Sequence, residues 1–249
     1  MSDVDDAGVP ASIAAAWGLR ERAGYGPRPG LSLERIVGAG VRVAAAEGLA
    51  AVSMVRLGKE LGTSAMALYR YVAAKDELLD LMLDAGVGAP PAEPPGAEPG
   101  WRPGLQRWAR AYLDALLGAP WTLQVPVGAP PITPNQIAWL ERCLAALAGT
   151  ALAEREKLSV VMLLSGFVRS WAGTAAAAMQ GPGERPPIDY GRALTRLADP
   201  ARFPAVAAAI AGGAIDDDAT YDAEAEFTFG LTRVLDGIAA LVDASHRSA

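Results

Sequence analysis

The stretch GTSAMALYRYVAAKDELL, Gly62 to Leu79, sets bulky aromatics and a cation among small residues in a chain rich in alanine and leucine. Gly62 marks a turn, Thr63 or Ser64 caps a short helix reaching Val72, and Lys75 opens the next helix. Leu68 and Val72 lie four apart and share the face a helix buries, which leaves Ser64, Ala65, Met66, Tyr69 and Arg70 outward or on the margins. Just upstream, SMVRLGKEL reads as another short helix, capped by Ser53, with Leu57 and Leu61 on its buried face. Two short helices joined by a glycine-containing turn make a helix-turn-helix, whose second helix enters the DNA major groove with its N-terminal residues nearest the bases. Small residues at that helix start permit close approach, and Tyr69 and Lys75 are placed for phosphate contacts. Aromatics and cations stay outside because they face a polyanion.

Working outward, LSLERIVGAGVRVAAAEGLA reads as a preceding helix. Ser32 is its N-cap, Ile36, Val37, Gly40, Val43 and Ala44 form its inner stripe, and Gly48 follows its end. The helix from Lys75 carries Asp76 and Glu77 in its first turn, as the helix dipole favours, and buries Leu78, Leu79, Met82 and Leu83. Residues 1–30 read as a basic arm ending RERAGYGPRPG, mostly mobile, with a short helix around ASIAAAWGLR. Residues 87–104 are a Pro/Gly-rich linker with no regular structure, and residues 105–249 are helical throughout, without strand-like alternation or repeats. The expected fold is all-α: a helix-turn-helix unit over 31–86 and a larger helical part after the linker.

Composition agrees. Half of the 249 residues are hydrophobic, enough for a core, and β-branched runs are scarce. The single cysteine, Cys143, excludes an internal disulfide. The net charge of −6 is uneven: between Ser12 and Lys75 nine cations against four acids give +5, which leaves −11 for the rest. A basic N-terminal region on an acidic body suits a nucleic-acid partner despite the overall sign. The acidic start lacks a signal-peptide core, and no apolar run reaches the ~18 residues of a membrane span without a charge, glycine or proline. The expectation is a soluble, cytoplasmic protein with no membrane partner.

As a set, AAAEGLAAVSMVRLGKELGTSAMALYRYVAAKDELL makes residues 31–86 resemble the DNA-binding domain of the tetracycline-repressor (TetR) family of bacterial transcriptional regulators. The resemblance implies a fourth helix leading into a ligand-binding and dimerisation domain, a palindromic double-stranded DNA operator and a small-molecule effector. It assigns DNA contacts to Ser53, Val55 and Arg56 in the first helix of the motif. It assigns base-facing positions to Ser64, Ala65, Met66 and Ala67, a DNA contact to Thr63, and phosphate contacts to Tyr69, Tyr71 and Lys75. Val55 stands where many relatives carry arginine, and Gly58 replaces the usual alanine at a cost in helix propensity. Ala65, Met66 and Ala67 cannot donate hydrogen bonds, so readout leans on thymine methyls or DNA shape. Arg28 in the arm reaches for a minor groove, as basic arms do elsewhere, unless the arm is filler.

Core packing is the default for the tryptophans of the C-terminal part. The resemblance raises Trp108, Trp139, Met162, Phe167 and Trp171 as candidates for a pocket lining a small apolar or amphipathic effector. Apolar surplus on the helices Glu154–Gln180 and Tyr221–Val242, beyond the stripes Leu158, Val161, Met162, Ser165, Val168, Ala172 and Phe227, Leu231, Val234, Leu235, Ile238, Leu241, suggests a homodimer interface. His246 reads as solvated, and Asp216, Asp217 and Asp218 as a solvated loop or helix start. No phosphate-binding loop, nucleotide motif or nucleophile elbow is present, and no cofactor, metal site or catalytic set is expected. A helical ligand-binding or adaptor protein with weakened DNA binding, or an all-α enzyme, are the alternatives to a repressor.

Overall fold

The computed structural model describes residues 8–19, 30–126, 130–180, 189–215 and 222–248. All regular structure among them is helical: α1 (Ala11–Ala16), α2 (Leu33–Glu47), α3 (Met54–Leu61), α4 (Ala65–Leu68), α5 (Lys75–Val87), α6 (Trp101–Gly118), α7 (Pro134–Leu147), α8 (Glu154–Gln180), α9 (Tyr190–Leu197), α10 (Pro204–Ala211) and α11 (Ala223–Ser248). Single 3-10 turns at Leu49–Ala51 and Pro120–Gln124 complete the set.

The head is α2 to α5. Ser32, Ser53 and Ser64 cap α2, α3 and α4, each accepting from the backbone N–H three residues on. Gly62 closes α3 in the left-handed conformation, at φ 64° and ψ 34°. The expected inner stripe of α2 is buried, Leu57, Leu68, Val72, Leu78 and Met82 join it, and Leu79 is half-buried. The recognition helix is shorter than its sequence suggests: regular α-helix covers only Ala65–Leu68, and the chain turns through Tyr71. Gly58 is explained by space. A Cβ there would sit 2.8 Å from the Thr63 carbonyl oxygen, so the turn closes onto the α3 backbone where a side chain would stand.

The short helix expected around ASIAAAWGLR is α1, and it packs on α2 and α5, burying Ser12, Ile13 and Ala14. The Ser12 hydroxyl donates to Glu77 Oε2 at 2.7 Å, and the Trp17 indole N–H donates to the Ile132 carbonyl at 2.7 Å. The expected linker stops early, because α6 starts at Trp101 and holds Pro103 and Gly104 in its first turn. Proline is tolerated there because first-turn N–H groups have no intrahelical partner.

In the body, α8 packs on α6, α7 and α11. Its span Glu154–Met179 is long and apolar enough by length and composition to cross a membrane, although charges and glycines interrupt it. In the fold it is instead a core helix, with Val160, Leu164, Val168 and Ala172 buried. The α8 stripe read from sequence is thus split, since Leu158 and Met162 are exposed. On α11 the buried stripe is Phe227, Leu231, Leu235, Ile238 and Val242, with Leu241 left outside. Arg28, Tyr221 and the run Asp216–Asp218 lie outside the described residues.

The two parts share a core. Ala119, Trp121 and Val125, which follow α6, belong to the head's apolar cluster, as does Ile13 of α1. Trp121 lies flush against α5: a Cβ on Gly86 would meet its indole at 2.6 Å.

Candidate functional site: nucleic-acid interface and ligand cavity

On the head, Ser53, Val55, Ser64, Met66, Tyr69 and Lys75 are all exposed, and Thr63, Ala65 and Ala67 are half-buried. Met66 has 78% of its surface accessible. Lys75 makes no ion pair among the described residues, so its charge is available.

Two assigned contacts are committed elsewhere. The Arg56 guanidinium is clamped between Glu47, at 2.6 Å, and Glu60, at 3.0 Å. The same contacts raise the Arg56 pKa and hold the Glu47 carboxyl below its usual range. Three of its five N–H donors are thereby held by carboxylates, whose charges also offset its own. The Tyr71 hydroxyl donates to the Leu31 carbonyl at 2.9 Å, tying the end of the recognition segment to the start of α2. Its proton is not free for a phosphate in this conformation.

Behind the head, a cavity of about 190 Å³ opens between α5, α6, α7 and α8. Its apolar wall is the aromatic trio Trp108, Tyr112 and Trp139, with ring centroids 5.0 to 5.8 Å apart. The indole N–H of Trp108 donates to the Trp139 carbonyl and that of Trp139 to the Gly88 carbonyl, both at 2.9 Å, so the rings present carbon surface to the space. From α5 come Leu83, Asp84 and Val87, and from α8 Val161, Ser165 and Arg169, spaced by four along one face.

Asp84 is buried and ties the head to the body. Its Oδ1 accepts from the backbone N–H groups of Asn135 and Gln136, at 2.8 and 3.0 Å, and its Oδ2 accepts from the Asn135 side chain at 3.0 Å. It thereby caps α7 from outside that helix. Thr133, at the N-cap position itself, makes no side-chain cap, and its buried hydroxyl has no partner among the described residues.

Of the five pocket candidates, Trp108 and Trp139 lie on the cavity wall. Met162 does not: it points outward, 75% exposed. Phe167 and Trp171 sit in a separate stack with Phe227, at centroid distances of 5.5 and 6.1 Å. No group of three or more residues suited to holding a metal occurs among the described residues.

A family model for bacterial regulatory proteins of the tetR family matches residues 36–82, and one for the tetracyclin repressor-like C-terminal domain matches residues 93–242. The chain belongs to the TetR family. The HTH-type transcriptional repressor DrrR1 of Streptomyces coeruleorubidus is 34% identical over 243 residues, which cover 94% of this chain and 87% of that protein. Apo ActR from Streptomyces coelicolor superposes with a TM-score of 0.69 at 26% identity, over 90% of this chain and 100% of that one. ActR in complex with (S)-DNPA gives 0.67 at 26% identity, over 84% and 98%.

As a TetR-family protein the chain is a DNA-binding transcriptional regulator of all-α architecture. Within that frame, sequence reasoning missed Asp84, Tyr112, Asn135, Gln136 and Arg169. Tyr112 carried one usable signal, standing four residues after Trp108 in a helical pattern and so on the same face. The others depend on contacts between distant segments, which no local period reports.

Proposed function

We propose that the chain is a ligand-responsive repressor, acting as a homodimer that releases a palindromic operator when a small apolar or amphipathic molecule enters the cavity. The observation that carries this reading is the double use of α5. Leu78 and Met82 sit in the core of the head, while Leu83, Asp84 and Val87 line the cavity. An occupant that moves α5 therefore moves α2, on which it packs, and with it the helix-turn-helix that shares their apolar cluster, and the ligand acts through its different affinity for the two arrangements. The complex of ActR with (S)-DNPA supports a ligand in this body, and the repressor name of DrrR1 supports the direction of regulation.

DNA contact falls to Ser53, Val55, Thr63, Ser64, Ala65, Met66, Ala67, Tyr69 and Lys75. One chain carries one such motif, and a palindrome needs two heads about 34 Å apart or a multiple of it. Exposed Leu158, Met162 and Leu163 on α8 and Phe229 and Leu241 on α11 support a symmetric surface for the second copy. The setting is the cytoplasm, where the DNA is. The clamp on Arg56 favours a second reading, a family member with weakened DNA binding.

The test is a mobility-shift assay with DNA from upstream of the chain's own gene, against scrambled DNA at about 150 mM salt. Preferential retardation supports the regulator, and equal or absent retardation supports the weakened-binding reading.

A further inference from the structure

Among the described residues, the half-buried arginines follow a rule with one exception. Arg56, Arg102, Arg107, Arg110 and Arg142 each hold a carboxylate: Glu47, Asp236, Glu93, Glu224 and Glu93. Arg169 is half-buried too, yet it has no hydrogen bond or ion pair among the described residues. It lines the cavity. A half-buried guanidinium on an apolar wall, with no counter-charge, offers its donors to whatever enters the cavity.

The cavity's other charged group does not serve. Asp84 forms no ion pair with Arg169, and both its oxygens are occupied by the start of α7 and the Asn135 amide. The partial positive charge at the start of α7 offsets part of the Asp84 charge. That leaves Arg169 as the charged group on the cavity wall without a partner among the described residues. The remaining wall is aromatic, and its indole N–H groups are spent on backbone carbonyls. At about 190 Å³ the space exceeds the ~150 Å³ apolar cavity that takes benzene, so it seats at least one ring.

We propose that the cavity takes a flat aromatic carboxylic acid, its rings against Trp108, Tyr112 and Trp139 and its carboxylate on Arg169. The inference rests on the reading of this cavity as the effector site. The fork of the guanidinium matches the two carboxylate oxygens side by side, and planar rings fit walls of ring faces and edges. A doubly charged phosphate would bring more charge than one arginine offsets.

Three matched probes decide it, titrated by calorimetry into the full chain: 2-naphthoate, 2-naphthamide and 2-naphthylmethylammonium. The naphthoate binds at least about tenfold more tightly than the amide, as a charge-assisted bidentate contact predicts, and the ammonium binds more weakly than both. Arg169→Gln brings naphthoate to within about threefold of the amide and does not lower the melting temperature, because no native partner is lost. Ser165→Trp, which fills the space, abolishes binding of naphthoate and amide alike. Equal binding of naphthoate and amide, tighter binding of the ammonium, or a naphthoate preference that survives Arg169→Gln overturns the acid assignment and leaves the effector cavity standing. Binding that survives Ser165→Trp, or no binding of any probe at millimolar concentration, overturns both.

Discussion

Replacing Asp84 by alanine tests how the body is fastened to the head. The variant loses the cap on the two backbone N–H groups of Asn135 and Gln136, which costs about 1 kcal/mol. It also strips the Asn135 amide of an ionised acceptor, adding roughly 1.5 kcal/mol. Thr133 complicates the sum in a useful way. It already stands at the N-cap position with a buried, unpartnered hydroxyl, so in the variant it takes over the cap and returns part of the loss. Asp84→Ala alone should therefore destabilise by about 2 kcal/mol, a fall in melting temperature of roughly 4–8 °C for a chain of this size. Thr133→Val alone should be neutral or slightly stabilising, since it removes a buried hydroxyl with no bond to lose. Combined, the two should cost about 0.5 kcal/mol more than their sum, because the substitute cap is gone. Thermal unfolding of the four proteins by circular dichroism reads all three quantities. A melting temperature for Asp84→Ala within about 1 °C of the parent would refute the fastening role, and strict additivity would refute the rescue by Thr133.

Gly58→Ala should destabilise by about 1 kcal/mol, because displacing the Thr63 backbone outweighs the gain in helix propensity, and it should weaken operator binding; a gain in urea stability contradicts the close-approach account. Lys75→Ala should weaken binding to operator and random DNA alike by about 1 kcal/mol and reduce the slope of log affinity against log salt by about 0.9. An unchanged slope removes Lys75 from the phosphate contacts. Gly173→Arg projects from α8 into space with no neighbouring atom within 4 Å, so it should split the dimer while leaving the fold intact, and sedimentation should give a folded monomer. Burial pushes the Cys143 thiol up to about 12, so the reactive thiolate is scarce at pH 8 and alkylation should wait for unfolding; rapid labelling of the native chain would contradict its burial.

The head was legible because its signals are local. The spacing of Ile36, Val37, Gly40, Val43 and Ala44 follows the helical period, and Ser32, Ser53 and Ser64 each cap a helix through a partner three residues away. The errors arise where geometry is not local. Pro103 and Gly104 read as linker because their type outweighed their position in a first turn. Met162 and Phe167 share an apolar helix with Val161, and composition alone does not separate outer surface, core and cavity wall. Asp84 caps a helix 51 residues downstream, a separation no motif records. Arg169 looked like any charge on a long helix, and only the pairing of the other half-buried arginines marks it out.

The shared core bears on how such a protein can be taken apart. Ala119, Trp121 and Val125 close the head's apolar cluster from beyond α6, and Ile13 closes it from the N-terminal side. A fragment cut at residues 31–86 would carry the whole helix-turn-helix but leave raw apolar surface where these side chains stood. Exchanging heads between relatives meets the same obstacle, because specificity for DNA would travel without the indole that Gly86 is shaped to receive. The portable module is not the one a sequence boundary draws. It is a discontinuous unit of three segments, and a chimera that keeps its new operator must import the turn at Pro120–Gln124 and the helix at Ala11–Ala16 together with the recognition segment.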